Sequence, residues 1–331
     1  MTHAPVHPTY ENFAELESAR MFAAVAAQAG GSNRWNHNGT PTPIDDQPII
    51  RMNRDTLYSA AIIDVSQGAT ITIPDAGERY ISVMLVNQGH YINRIIHQPG
   101  VHELTAEDLG SDFVLAAARI LVDPEDPTDV AVVNELQSQF ELTSVGGREH
   151  VLPEFDQEAF GTVRGAILEL SKGMSDLSGA FGRKEDVDPI KHLLGTAMGW
   201  GGLPESEAFY LNVSPGLPVG EYELVIGDAP VDGFWSISLY NADGYFEENT
   251  LGAYSVNNIT GVRNPDGTMT VRFSGSAFEA GSGSGAGSGA DAASGGNILP
   301  IMDGWNYMVR MYRPRPEVVN GTWKFPTIEA R

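Results

Sequence analysis

The chain has no cysteine among its 331 residues. That excludes disulfide frameworks, thiolate metal sites and cysteine nucleophiles together, so any chemistry must use oxygen or nitrogen groups. Basic residues are scarce as well. Twenty Lys and Arg face 43 Asp and Glu, for a net charge of −23. An excess of this size repels phosphate backbones and anionic lipid heads, which argues against nucleic acid and membrane surfaces as partners. It suits either cationic ligands or a strongly hydrated surface for a saline habitat, and no acidic run is long enough to be a tail. No apolar stretch approaches the length of a membrane span, and the first residues carry no basic segment followed by an apolar run. The expected compartment is the cytoplasm, or the periplasm if a leader has been removed.

Familiar catalytic signatures are missing too. There is no Walker loop, no G-x-S-x-G elbow and no paired-histidine zinc helix. Gly285, Gly287 and Ala290 satisfy a dinucleotide-binding spacing, but they lie in a Gly/Ser/Ala run from Gly281 to Gly296 with no parallel strand leading in and no helix following. That run reads as a flexible surface linker. Nothing names a cofactor. His90, His97 and His102 fall in one region without acidic residues at a repeating metal-site spacing, so no metal site is assigned.

Hydrophobic spacing divides the chain. From Tyr10 to Ala29 apolar residues recur at three- and four-residue steps and stop at Gly30-Gly31, which predicts one amphipathic helix. Period two follows over Thr56–Val65, Thr70–Ile73, Tyr80–Val86 and Tyr91–His97, predicting strands. Helical spacing returns over Pro127–Leu142 and Gln157–Leu170, with a third helix from Pro189 to Gly199 capped by Asp188. Beyond Leu203 the strands Tyr210–Val213, Tyr222–Ile226, Phe234–Tyr240, Thr268–Phe273 and Tyr307–Tyr312 are expected. This gives an N-terminal helix and connection over 1–48, β structure over 49–125, a helical insert over 126–203 and a second β region over 204–331.

Two stretches place polar groups inside apolar alternation, where burial without partners costs a few kcal/mol each. In Asn53-Arg54-Asp55-Thr56-Leu57-Tyr58, period two puts Arg54, Thr56 and Tyr58 on one face and Asp55 on the other. The Arg54 fork suits a carboxylate, in a substrate or in the protein itself. In Phe234 to Tyr240, Trp235, Ile237 and Leu239 make an apolar face, while Ser236 and Ser238 lie between the rings of Phe234 and Tyr240 on the other. Gly89 beside His90 allows close approach of another segment or a ligand.

These stretches, with Gly89-His90-Tyr91 and Trp305 to Pro314, resemble the bacterial DUF1254/DUF1214 domain-pair family. The resemblance implies an immunoglobulin-like β-sandwich first, a small helical domain second and a jelly-roll-like β-sandwich last. It carries over no catalytic residue. The Gly/Ser run at 281–296 departs from the family's shorter, more proline-rich connection. The expectation is thus a mainly β protein with a helical insert, acting as an enzyme on a small polar or anionic metabolite in a cleft between two sandwiches. Asp55 and His90 are the candidate proton carriers, and Arg54, Tyr58, Tyr91, Trp235 and Tyr240 the candidate substrate contacts. The competing expectation is a non-catalytic module that binds glycan or protein through aromatic sheet faces. Oligomeric state is not legible.

Overall fold

The computed structural model describes residues 5–47, 50–174, 176–282 and 296–331. Apart from its ends, the Gly281 to Gly296 stretch expected as a linker lies outside the described residues. The fold is mainly β, with an N-terminal helix and helices between two β regions. The chain divides into two compact units, one formed by Met1–Gly39, Leu57–Leu121 and Ala131–Glu205, the other by Thr40–Thr56, Val122–Val130 and Ser206–Arg331.

The first unit opens with α1 (Phe13–Ala29), which Gly30 ends in a left-handed conformation at φ 73°. Then come β1 (Asn36–His37), β2 (Thr56–Asp64), β3 (Ala69–Ile73), β4 (Ile81–Asn87), β5 (Ile92–Ile96), β6 (Gly100–Leu104), α2 (Ala106–Leu109) and β7 (Phe113–Leu121). Next are α3 (Pro127–Ser138), which starts in the segment assigned to the second unit, β8 (Glu141–Ser144), α4 (Gln157–Ser171) and α5 (Pro189–Gly199). One antiparallel sheet has the order β1-β2-β7-β4-β5 and another β6-β3-β8.

Two differences from the sequence expectation have clear causes. Strand β7 sits between β2 and β4 with Val114, Leu115, Ala116, Ala118, Ile120 and Leu121 buried. A strand covered on both faces loses its period-two signature, and its alanines read as helix formers. The helix expected over Pro127–Leu142 ends at Ser138, because Glu141 to Ser144 pairs with β3 and sets Leu142 opposite Ile71. Helices α4 and α5 begin where expected. Asp156 accepts from the backbone N–H of Glu158 and Ala159, and Asp188 from those of Ile190 and Lys191, with Pro189 in the first turn. Phe13 and Leu16 of α1 share one apolar cluster with Phe160 and Ile167 of α4 and Leu194 of α5. The N-terminal helix is therefore packed together with α4 and α5.

The second unit contains β9 (Ala208–Val213), β10 (Glu221–Ile226), β11 (Trp235–Tyr240), β12 (Ser255–Asn257), β13 (Met269–Ser274), α6 (Gly275–Ser282) and β14 (Ile298–Pro300). It closes with β15 (Asn306–Tyr312), α7 (Pro316–Val319) and β16 (Glu329–Ala330). Two four-stranded sheets form, β14-β13-β10-β16 and β12-β11-β15-β9, antiparallel except for the short parallel pairing of β13 with β14. Their inner faces share one core, in which Leu224, Val271 and Phe273 of one sheet meet Ile237, Tyr307 and Val309 of the other. This is a β-sandwich, and each fully buried large side chain contributes about 1.5–3 kcal/mol. Among the described residues no helix is long and apolar enough to cross a membrane.

Candidate functional site

Alternation along β11 decides the placement of every side chain around it. Trp235, Ile237 and Leu239 point into the sandwich core, where Trp235 is 3% exposed and meets Phe325 edge-on. Ser236, Ser238 and Tyr240 therefore face the other way, yet all three are buried. Register brings further polar residues onto that face. Ser236 lies opposite Arg310 of β15 and Asn257 of β12, Ser238 opposite Ser255, and Tyr240 opposite Asn306.

The segment Thr40–Thr56 belongs to this unit and supplies partners to Arg310 and Tyr240 on this polar face. The Arg310 guanidinium donates to Ser238 Oγ at 2.7 Å, to Tyr240 Oη at 2.8 Å and to the carbonyls of Arg51 and Met52 at 2.8 and 3.2 Å. Tyr240 in turn donates to the Met52 carbonyl at 2.7 Å. Burial alone would lower the Arg310 pKa, but Tyr240, Tyr312 and Asp55 outweigh it and the net direction is upward. Arg310 remains a cation.

Asp55 is the buried acid of the cluster, with 0% of its surface exposed. Ser255 Oγ donates to its Oδ1 at 3.1 Å, while among the described residues its Oδ2 makes no hydrogen bond of normal geometry. Burial raises the Asp55 pKa against the opposing influence of Arg310, Ser236, Ser255 and Asn257. Its neighbour Arg54 faces elsewhere. One Nη2 N–H of Arg54 donates to Glu125 Oε1 at 2.9 Å, Nη1 donates to the Thr42 carbonyl, and the guanidinium lies over the Tyr254 ring, 5.2 Å from its centroid. Glu125, Tyr254, Ser255 and Asn257 all line one pocket of about 270 Å³, with Asp123 and Asn297 on its wall. Ser255 thus stands between that pocket and the Asp55 carboxyl.

The remaining candidates, Tyr58, His90 and Tyr91, belong to the first unit. Tyr58 carries the Arg119 guanidinium over its ring at 5.6 Å. His90 is wholly buried, and both ring nitrogens are engaged. Thr196 Oγ1 donates to the His192 carbonyl at 2.8 Å, so at its own 2.8 Å contact with His90 Nδ1 it accepts; Nε2 accepts the Gly201 N–H at 2.9 Å. That assigns the proton to Nδ1. Burial, then the neighbouring His192, pushes the His90 pKa down to about 3. His192 has Nδ1 3.2 Å from the Ala180 carbonyl and Nε2 3.1 Å from that of Gly89. Tyr91 stacks on His192 with centroids 4.4 Å apart.

Of the expected site residues, the structure gathers Asp55 and Tyr240 into one cluster and sets Arg54 beside the pocket wall. Sequence reasoning assigned no role to Ser255, Asn257 or Arg310. Arg310 had a readable signal, a charge between Val309 and Met311 in an apolar strand; Ser255 sits in a three-residue strand that has none. Among the described residues no group of three or more His, Asp or Glu could hold a metal ion.

Two family models match the chain, DUF1254 over residues 32–94 and DUF1214 over residues 218–316, each a protein of unknown function. The chain carries the DUF1254/DUF1214 pair. Asp55 lies in the first matched segment and Tyr240, Ser255 and Arg310 in the second, so the buried polar cluster draws on both. In fold the chain is similar to the VPA0106 protein from Vibrio parahaemolyticus, with a TM-score of 0.72 and 18% identity over 97% of both chains. An uncharacterized protein from Burkholderia cenocepacia gives a TM-score of 0.48 and 14% identity over 97% of this chain and 86% of that one. Among curated proteins none matches.

Proposed function

We propose that this DUF1254/DUF1214 protein is an enzyme acting on a small polar metabolite by general acid–base chemistry, with its site in the second unit. The observation that carries this reading is the Asp55 carboxyl. It is buried, its pKa is raised, and one oxygen is held by Ser255 at the pocket wall. A carboxyl whose neutral form is favoured by burial is better suited to giving and taking a proton than a fully solvated aspartate. Ser255 is the relay between Asp55 and the pocket, and Arg310 supplies positive charge behind the acid.

The pocket wall argues for the substrate class. Its described lining contains the carboxylates of Asp123 and Glu125, the amides of Asn257 and Asn297 and the hydroxyl of Thr260, with no Lys or Arg. That composition favours a neutral or cationic polar molecule over an anion. In this reading Arg54 holds Glu125 in place rather than meeting the substrate. Trp235 and Tyr240, buried as they are, offer no open aromatic platform for the binding-module alternative.

The test begins with a library of small polar metabolites, scored by thermal shift on the wild-type chain and then by mass spectrometry for turnover. For any substrate found, Asp55→Asn should retain binding while turnover falls by a factor of about 100 to 10,000, and Ser255→Ala should fall with it. The Asp55→Asn protein should melt no lower than wild type, because the fold already prefers the neutral form of that side chain. An Asp55→Asn variant that turns over substrate at the wild-type rate would refute the assignment.

A further inference from the structure

The first unit holds a cleft of about 890 Å³ that the acid–base reading does not use. Its volume lies within the range of about 300–1,000 Å³ usual for ligand sites. One wall is the turn between β4 and β5, and the Asn87 side chain and backbone tie it down. Asn87 Oδ1 accepts the backbone N–H of both Gly89 and Tyr91 at 2.9 Å, the His90 N–H returns to the Asn87 carbonyl at 3.0 Å, and Asn87 Nδ2 donates to the Leu109 carbonyl at 3.0 Å. The Tyr91 ring at the cleft is backed by a column of rings running into the protein. Tyr91 stacks on His192 at 4.4 Å and 11°, His192 on His90 at 5.4 Å and 27°, and His90 on Trp200 at 5.3 Å and 21°. Tyr91 is partly buried, and a ring backed in this way is a preorganised stacking platform.

Around that ring stand polar groups that make no hydrogen bond among the described residues. His150 Nδ1 is buried and without a partner. Gln88 uses its Oε1 to accept the Phe113 N–H at 3.2 Å, which leaves its amide nitrogen uncommitted. The Tyr91 hydroxyl and the Glu15 carboxylate complete a rim that offers donors and acceptors together, while the exposed Lys184 ammonium lies over the Tyr91 ring, 5.9 Å from its centroid, and swings aside when a ligand stacks there. Phe113, Leu16 and Pro153 add apolar surface between them. Net charge argues against an anion: Glu15, Glu149 and Glu185 line the cleft, and of its two cations Arg148 is already paired with Asp64 and Asp112.

A ring platform, apolar patches and mixed, uncommitted donors and acceptors match a ligand with flat C–H faces and hydroxyls that both give and accept hydrogen bonds. We infer that the cleft beside Tyr91 binds a neutral saccharide, by stacking on Tyr91 and hydrogen bonding to Gln88, Glu15 and His150. The site is separate from the Asp55 cluster and needs no turnover to be detected.

The experiment is calorimetric titration of the full chain with neutral di- to tetrasaccharides of glucose and N-acetylglucosamine, at up to about 10 mM because single saccharide sites are often weak. Saturable binding is expected for at least one of them. Tyr91→Ala should weaken it about tenfold or more, Tyr91→Phe only severalfold, and Asp55→Asn not at all. Should Tyr91→Ala fail to fold by its melting curve, Gln88→Ala and Glu15→Ala take its place, each expected to weaken binding severalfold. Absence of binding by every saccharide overturns the inference, and so does binding that survives the substitutions at the cleft unchanged.

Discussion

His90 adopts a left-handed backbone conformation at φ 64°, uncommon for a residue with a Cβ, and its imidazole is buried with both nitrogens in use. The Asn87 side chain closes the turn that holds it there. A histidine held neutral makes stability depend on pH with a definite sign. Its folded-state pKa, about 3, lies below the unfolded value near 6.5, so the stability it provides is fully present above pH 6.5 and is lost as pH falls from there toward 3. The loss is about 1.4 kcal/mol per pH unit for one such group within that window. His37, His150 and His192 are also lowered by burial and add in the same direction. The melting temperature should therefore fall between pH 7 and pH 5, before most carboxylates titrate. His90→Asn, which tolerates the left-handed conformation, should be less stable at pH 7 yet flatter across this range. An equally steep slope in that variant would mean that His90 does not carry it.

At the scale of elements, the end of β2 shows how one side chain can join segments far apart in the chain. Asp64 accepts from the Ser66 N–H and hydroxyl at 3.1 and 2.6 Å, from the Arg148 N–H at 2.9 Å and from its guanidinium at 3.1 Å. Gly146 permits the approach, because a Cβ there would lie 2.4 Å from Asp64 Oδ2. These bonds hold the Asp64 carboxyl below the usual carboxylate range, although burial opposes them. Asp64→Asn turns an amide N–H toward those donors and should cost about 2–3 kcal/mol, read from the urea midpoint of the variant. A loss within 0.5 kcal/mol, the scale of ordinary surface substitutions, would show that the clamp is not structural. Such joints mark the limit of what the sequence reveals. Strands such as β11 and β15, with one face on a core, announce themselves by alternation, and so did Asp55 and Tyr240 as polar groups within apolar runs. The central strand β7, covered on both faces, did not. Nor did the pairing of Ser255 with Asp55, since that depends on which segments meet 200 residues apart in the chain.

For the molecule as a whole the dominant fact is the net charge of −23. Excess negative charge repels itself more in the compact state than in the extended one, so part of the stability gained by burying the cores is spent against that repulsion. Buried or partly buried pairs such as Arg148 with Asp64 are screened by salt much less than the exposed carboxylates. Salt should thus relieve the repulsion while leaving the clamps largely intact. Raising sodium chloride from about 0.01 M to about 0.5 M shortens the screening length from about 30 Å to below 8 Å. The melting temperature should rise over that range, by about 2–4 °C for each kcal/mol regained in a unit of this size. Screening also predicts a shape: the gain should flatten once the screening length is shorter than the spacing between surface charges. A rise that continued linearly well beyond that point, and was larger in sulfate than in chloride at equal ionic strength, would instead indicate exclusion of salt from the surface. No change at all would mean that the acidic residues are too far apart, or too evenly interleaved with basic ones, for the net charge to matter to folding.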